Sequence, residues 1–339
     1  NTAVGHWALS AVTDQVGNVA VGYQAGEDCV SANNTIIGYE AGLQNTSGEG
    51  NTVLGWKAMG AEVTTGSNNI AVGIQAGVAI TSGDYNIFMG YQSGYDGEHP
   101  STGAKITGDG NVFIGKYCGK SHFGGSNNVG IGTDVMSIAD NCEASNCTVV
   151  GNYAGNEITS ASNSTLIGYR AGSDYGPDGH VISGGGKIVL GNSDNGASHI
   201  QVDWSIASDE RDKADKTNFT GGLDWINAMQ PITYRWDQRV WYCDSEDITP
   251  AKVLAAVPDG THKKDPLHVG FRAQDILAIE QANGYALAGN DSSIIVDESE
   301  DGTRYSMKAA KIIPMLVNAI KELSTKNDAL EARIATLEG

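Results

Sequence analysis

Proline is scarce. The chain of 339 residues has 7 Pro against 45 Gly, which excludes a collagen-like helix, where Pro is also abundant. Basic residues are few as well: 21 Lys and Arg face 40 Asp and Glu, for a net charge of −19. A chain this acidic is repelled by DNA, RNA and anionic lipid, so no nucleic-acid partner is expected. The same charge discourages side-by-side association of exposed strand edges. No apolar run approaches the ~20 residues that span a bilayer, so no membrane insertion is expected. No signal peptide is visible either. Cysteine is limited to Cys29, Cys118, Cys142, Cys147 and Cys243, an odd number in no recognised zinc spacing. Cys142 and Cys147 are close enough in sequence to pair across a loop. The alternative is buried free thiols in a protein assembled in a reducing cytoplasm. Neither metal nor cofactor is implied. What the chain does have is 40% hydrophobic residues, too many for disorder. Its glycines therefore serve repeated tight turns rather than flexible linkers.

A repeat is plain by eye. Asn18-Val-Ala-Val-Gly22-Tyr-Gln-Ala-Gly26 recurs as Asn34-Thr-Ile-Ile-Gly38-Tyr-Glu-Ala-Gly42, then from Asn51, Asn69, Asn86, Asn111, Asn128, Cys147 and Ser164, with a degenerate copy at Lys187. Most steps between the central glycines are 16 to 19 residues; those from Gly90 to Gly115 and from Gly168 to Gly191 are longer. Each unit reads as a short β-branched strand, a Gly bend, a second short segment ending in Ala-Gly, and a polar turn back. So short a strand cannot bury its apolar face alone, but stacked copies share a core. The Asn that opens most copies is placed to cap a turn or to build a ladder of side-chain amides along the stack. The chain opens inside a copy, at Asn1-Thr2-Ala3-Val4-Gly5, so further sequence is expected upstream.

This motif, over residues 1–192, resembles the head repeats of trimeric autotransporter adhesins and similar repeats in phage fibres. The resemblance implies a mainly β trimeric shaft, built as a parallel β-roll or an interwoven β-prism. Two insertions interrupt it, Tyr95–Gly110 and Tyr175–Gly186. Loops that interrupt a repeat lie on one face and often bind. Tyr95, His99, Tyr175 and His180 are the candidate receptor contacts, with the two tyrosines suited to stack on sugar rings. The alternative is plain solvated loops.

The chain changes character at Ser205-Ile-Ala-Ser208-Asp-Glu-Arg-Asp-Lys213. Ser208 or Asp209 suits a helix cap, with acids in the first turn. A second reading is a Ser208/Lys213 dyad. A serine hydroxyl is a weak nucleophile and needs a base, and a lysine serves if desolvation or nearby cations lower its pKa. Arg211 is a candidate for that push, while Asp209, Glu210 and Asp212 act the other way. Further on, Gly221–Pro231 reads as a short helix stopped by Pro231, with Leu223, Ile226 and Met229 on one side. Ile232–Trp236 reads as a strand. His268-Val-Gly-Phe-Arg-Ala-Gln274 reads as a strand leading into a helix. Finally Leu316, Ile320, Leu323, Asn327, Leu330, Ile334 and Leu337 follow steps of 4,3,4,3,4,3, an a/d seam with Asn327 as a register device.

The order of these parts resembles a phage tail fibre or tailspike ending in an intramolecular chaperone of the peptidase S74 family. There the element His-x-Gly-Phe-x-Ala-Gln and the Ser-Asp-x-Arg-x-Lys junction recur. The resemblance spans about 209–339. It implies a small α+β domain that trimerises the fibre through a terminal coiled coil and then cuts itself off beside Ser208, between Ser208 and Asp209. Ser208 and Lys213 would be catalytic, with Arg211, His268 and Gln274 as possible auxiliaries. Attack by a serine on its own carbonyl closes a strained four-membered ring, whereas attack on the Ala207 carbonyl closes an easier five-membered one. A cut after Ser208 therefore calls for an unusual local geometry or attack across chains.

The expected organisation is a shaft over 1–192, a junction over 193–208, a chaperone-like domain over 209–311 and a coiled-coil helix over 312–339. The expected partners are two further copies of the chain, upstream fibre or baseplate proteins, and a bacterial surface glycan or protein. The expected location is the virion, after assembly in the host cytoplasm. Other classes fit less well. A bacterial trimeric adhesin with a permanent trimerisation domain ends in a membrane barrel rather than a soluble heptad helix. A glycosidase needs a pair of carboxylates that the repeats do not offer. A membrane-bound transcription factor needs a basic domain and a transmembrane helix.

Overall fold

The computed structural model describes residues 1–95, 105–122, 124–137, 142–173, 185–192, 207–243, 249–286, 293–299 and 302–339. Two compact units divide the chain, Asn1–Gly196 and Ala197–Gly339. No helix is long and apolar enough to cross a membrane among the described residues.

The first unit is a parallel β-solenoid. Its strands are β1 (Thr2–Val4), β2 (Val19–Val21), β3 (Thr35–Ile37), β4 (Thr52–Leu54), β5 (Ile70–Val72), β6 (Ile87–Met89), β7 (Val112–Ile114), β8 (Val129–Ile131), β9 (Thr148–Val150), β10 (Thr165–Ile167) and β11 (Ile188–Leu190). They form one sheet in sequence order, each paired in parallel with the next. A rung thus pairs with the following rung of the same chain. Of the two architectures implied by the repeat, this is the roll and not the interwoven prism.

Side chains alternate along a strand, so a three-residue strand sends its middle residue one way and its flanks the other. The middle residues Ala20, Ile36, Val53, Phe88, Phe113, Val149 and Leu166 are buried inside the roll. The Ala of each Ala-Gly pair packs beside them. Large and small alternate where needed: Phe113 lies over Gly130, whose added Cβ would come within 2.8 Å of the ring.

The central glycine is obligatory for two reasons. Gly73 has φ of +132°, and a Cβ there would lie 2.5 Å from the carbonyl oxygen of Gly90 on the next rung. The short segment after it is a left-handed turn. Gln24, Glu40, Lys57, Gln75, Gln92 and Arg170 all stand two residues past the bend with φ of 51–53°. Such a conformation costs an ordinary residue roughly 1–2 kcal/mol. A bond between rungs offsets it at each step, for example Lys57 N–H to Tyr39 O and Gln75 N–H to Trp56 O, both 2.9 Å.

Two side-chain ladders run along the stack, one buried and one at the surface. The repeat asparagines form the ladder that the sequence allowed: Oδ1 of Asn34 accepts the backbone N–H of Asn51 at 2.9 Å, Asn51 that of Asn69 at 2.8 Å, and Asn69 that of Asn86 at 2.8 Å. A second ladder, two residues earlier, runs the opposite way. The Ser67 N–H donates to Asp84 at 2.7 Å, Asp84 to Asp109 at 2.8 Å and Asp109 to Ser126 at 3.0 Å. The buried cysteines Cys29, Cys118, Cys142 and Cys147 are thiols, and Cys142 and Cys147 form no disulfide with each other.

The second unit is α+β. Helix α1 (Leu223–Ala228) precedes β12 (Ile232–Tyr234), which pairs antiparallel with β13 (His268–Gly270). Helices α2 (Pro250–Ala255) and α3 (Ala273–Ala282), the hairpin β14 (Val296–Glu298)–β15 (Tyr305–Met307), and α4 (Ile312–Glu338) complete it. Trp225, Met229, Ile276, Ile295, Ile312 and Met315 form its core. Trp225, not Leu223 or Ile226, leads the buried side of α1. Helix α1 has Gly222 at its N-cap and no cap from its own side chains. Helix α4 supplies the missing acceptor, since Glu322 takes the Leu223 N–H at 3.3 Å.

Candidate functional site

Ser208 and Lys213 flank a single turn of 3-10 helix over Glu210–Asp212. Asp209 caps it, its Oδ1 accepting the Arg211 N–H at 2.9 Å. The Asp212 and Lys213 amides close it on the carbonyls of Asp209 and Glu210, at 3.3 and 3.2 Å. The turn folds the chain so that the Lys213 ammonium donates to Ser208 Oγ at 2.7 Å and to the Ser208 carbonyl oxygen at 3.1 Å. Asp209 is thus the cap of the turn, and the same turn brings Lys213 into contact with Ser208.

The Arg211 guanidinium pairs with Asp209, Nε at 3.0 Å and Nη2 at 2.6 Å. That pairing holds the Asp209 carboxyl below the usual carboxylate range and raises Arg211. Lys216 bonds Glu210 at 2.8 Å across the same turn. Residues 207–218 are all exposed. The pair therefore stands in water, with a serine hydroxyl, an amine and a peptide carbonyl in mutual contact.

The other named residues lie apart from the pair. The His268 ring stacks on Tyr234 at 5.5 Å and leans on Trp236, with no hydrogen bond to Ser208 or Lys213. Gln274 is exposed at the start of α3 and makes no helix-start bond; Arg272 and Asp275 pair there instead, at 2.8 Å. Tyr95 is half-buried, and its carbonyl accepts the Ser121 N–H at 3.0 Å. His99, Tyr175, His180 and residues 193–206 of the junction lie outside the described residues. No group of three or more His, Cys, Asp or Glu among the described residues is arranged to hold a metal ion.

The heptad-spaced apolar row of α4 is exposed. Ile312, Met315 and Ala319 bury one face of the helix in its own domain. Leu316, Ile320, Leu323, Leu330, Ile334 and Leu337 are exposed, Ile320 at 65% and Leu337 at 83%. Asn327 is exposed in the same row and donates to Glu331 at 2.8 Å. The outward flanks of the solenoid strands are apolar too: Ile37, Leu54, Met89, Ile131, Ile167 and Leu190 are all exposed.

One buried group had no signal in the sequence. Glu280 on α3 is fully buried, and its carboxylate accepts the N–H groups of Ile294, Ile295 and Val296 at 2.8, 2.7 and 3.2 Å. It ties the entry of β14 to α3. A glutamate in a helix gives no hint of this, because its donors come from a segment far along the chain.

Residues 208–285 match the family Peptidase_S74, described as chaperone of endosialidase. The match begins at the serine of the pair and ends just after α3. No curated protein and no solved structure matches the chain.

Proposed function

We propose that this chain is a tail-fibre or tailspike protein of a bacteriophage virion whose C-terminal unit is an intramolecular chaperone released by self-cleavage. The observation that carries the reading is the contact of Lys213 with Ser208, at the first residue of the chaperone match. With the proton order of that contact reversed, a neutral amine takes the hydroxyl proton and Oγ bonds to a carbonyl carbon. The peptide C–N bond breaks, the proton passes to the leaving nitrogen, and water hydrolyses the ester. One water is consumed, and a carboxyl and an amino group replace the peptide. The 3.1 Å contact of Nζ with the Ser208 carbonyl oxygen favours the Ser208–Asp209 bond, since it draws electrons from that carbonyl. Attack on that carbon without a four-membered ring comes from the serine of a neighbouring chain.

Assembly supplies the reason for the device. A parallel pair needs a crossover of a dozen or more residues, and a rung not yet stacked exposes its strand edges to aggregation. A local helical seam that joins three chains raises their effective concentration and starts the shaft in register. The exposed seam of α4 and the apolar outer flanks of the strands are the surfaces such a trimer covers. Removing the chaperone afterwards takes away the easy route back, so the fibre is kinetically trapped. The shaft would then meet a glycan or protein of the bacterial surface, with its upstream end joined to fibre or baseplate proteins.

The test is sedimentation of the whole chain carrying Ser208→Ala, beside the same chain with Leu330→Asp and Ile334→Asp. A trimer of uncut chains, lost in the seam variant, supports the reading. A monomer in the first sample contradicts it.

A further inference from the structure

We infer that Asp209 and Arg211 are the positioning residues of the cleavage reaction: the Asp209 cap folds the turn that carries Lys213 onto Ser208, and Arg211 holds that cap. The inference rests on the reading that the pair cuts the chain, and it assigns Arg211 a role different from lowering the charge of the lysine.

An extended chain rises roughly 3.3–3.6 Å per residue, so Ser208 and Lys213 would stand about 17 Å apart, beyond a lysine side chain. A turn between them is required for the 2.7 Å contact. Residues 207–218 are exposed, so no packing holds that turn and its own bonds must. Two of those bonds are the backbone closures to Asp209 O and Glu210 O. The rest converge on one carboxylate. Asp209 Oδ1 accepts the Arg211 amide at 2.9 Å and Nε at 3.0 Å, and Oδ2 accepts Nε at 3.2 Å and Nη2 at 2.6 Å. One side chain therefore receives the backbone and the guanidinium of the same residue, which locks the capping rotamer. The Lys216–Glu210 pair adds a looser brace over the turn. Asp209 is also the residue on the far side of the Ser208–Asp209 bond. Fixing its side chain fixes the plane of the peptide whose carbonyl touches Lys213.

The test measures the rate of conversion from intact to cut chain, across pH, in the whole protein. Asp209→Ala removes the cap and slows the reaction roughly tenfold, the scale of a lost N-cap. Asp209→Asn keeps a capping oxygen and slows it only about twofold. Arg211→Ala slows it by an amount between these, and the double variant Asp209→Ala/Arg211→Ala is no slower than Asp209→Ala alone. The pH midpoint of the rate stays that of the parent in each. Equal rates for Asp209→Ala and Asp209→Asn overturn the inference while leaving the cleavage reading intact. So does a pH midpoint that rises in Arg211→Ala, because the arginine would then act on the charge of Lys213. A parent chain that stays whole overturns both.

Discussion

Removing one amide from the asparagine ladder should damage the solenoid far more than its size suggests. Asn86 is fully buried. Its Oδ1 accepts the Asn111 N–H at 2.9 Å and the Asn111 amide at 3.1 Å, and its Nδ2 donates to Gly108 O at 2.9 Å. Asn86→Ala leaves a buried backbone N–H and a buried backbone carbonyl without partners. Each such group costs about 1–3 kcal/mol, so the pair costs about 4 kcal/mol. For a unit of this size, Asn1–Gly196, each kcal/mol moves the melting midpoint by about 2–4 °C. Circular dichroism of the strand signal, heated at a fixed scan rate, should therefore show a fall of about 8–16 °C. A shift below about 2 °C, the behaviour of a surface position, would refute the argument that the ladder bonds are isolated from water.

Three further outcomes follow from buried groups. His122 is fully buried, with Nδ1 unpartnered, and desolvation pushes its pKa down to about 4. The unfolded chain takes up a proton at about 6.5 and the folded chain does not, so stability falls as pH drops from about 6.5 to 4, by roughly 3 kcal/mol. Denaturation of the parent and of His122→Gln across that range should show the loss only in the parent. Burial pushes the Cys142 thiol up to about 12 and raises Cys118 and Cys147 as well. A thiol reagent at neutral pH should leave Cys29, Cys118, Cys142 and Cys147 unlabelled in the folded chain; rapid native labelling of any would contradict the packing. Glu280→Gln trades a carboxylate that accepts three backbone N–H groups for an amide with one acceptor oxygen. It should destabilise the second unit by about 2–4 kcal/mol in urea unfolding.

Much of this architecture was legible because the repeat is written in residues with single physical uses. The repeat set the strand, the bend and the shared core, and all three stand in the structure; of the two roles open to its Asn, the amide ladder is the one formed. The segment after the bend was not legible. Gln24, Lys57 and Arg170 adopt a left-handed conformation that nothing in those side chains favours, and only bonds to the previous rung explain it. The second ladder hid for a related reason: Ser67, Asp84 and Ser126 look like ordinary turn residues until their rungs are stacked. Whether the repeat builds a roll or a prism depends on which chain supplies the next strand, and a local pattern carries no such information. In the second unit, β12, β13 and α3 lie where the Pro-terminated helix, the aromatic strand and His268–Gln274 put them. At the junction the five-residue spacing was visible, but the role of Asp209 as the cap that joins Ser208 to Lys213 needed coordinates. The apolar row of α4 was legible from its 3.5-residue period, and the structure leaves that row exposed.

On the proposed function, the C-terminal unit assembles the fibre and then cuts itself away at Ser208. The deciding measurement is intact mass on every band of a denaturing gel, for the purified parent beside Ser208→Ala and Lys213→Ala. Two fragments are expected from the parent, with masses that place the cut between Ser208 and Asp209, and one whole chain from each variant. A single whole chain from all three would contradict it, leaving the C-terminal unit as a permanent trimerisation cap and Asp209 as the cap of a turn that does no chemistry.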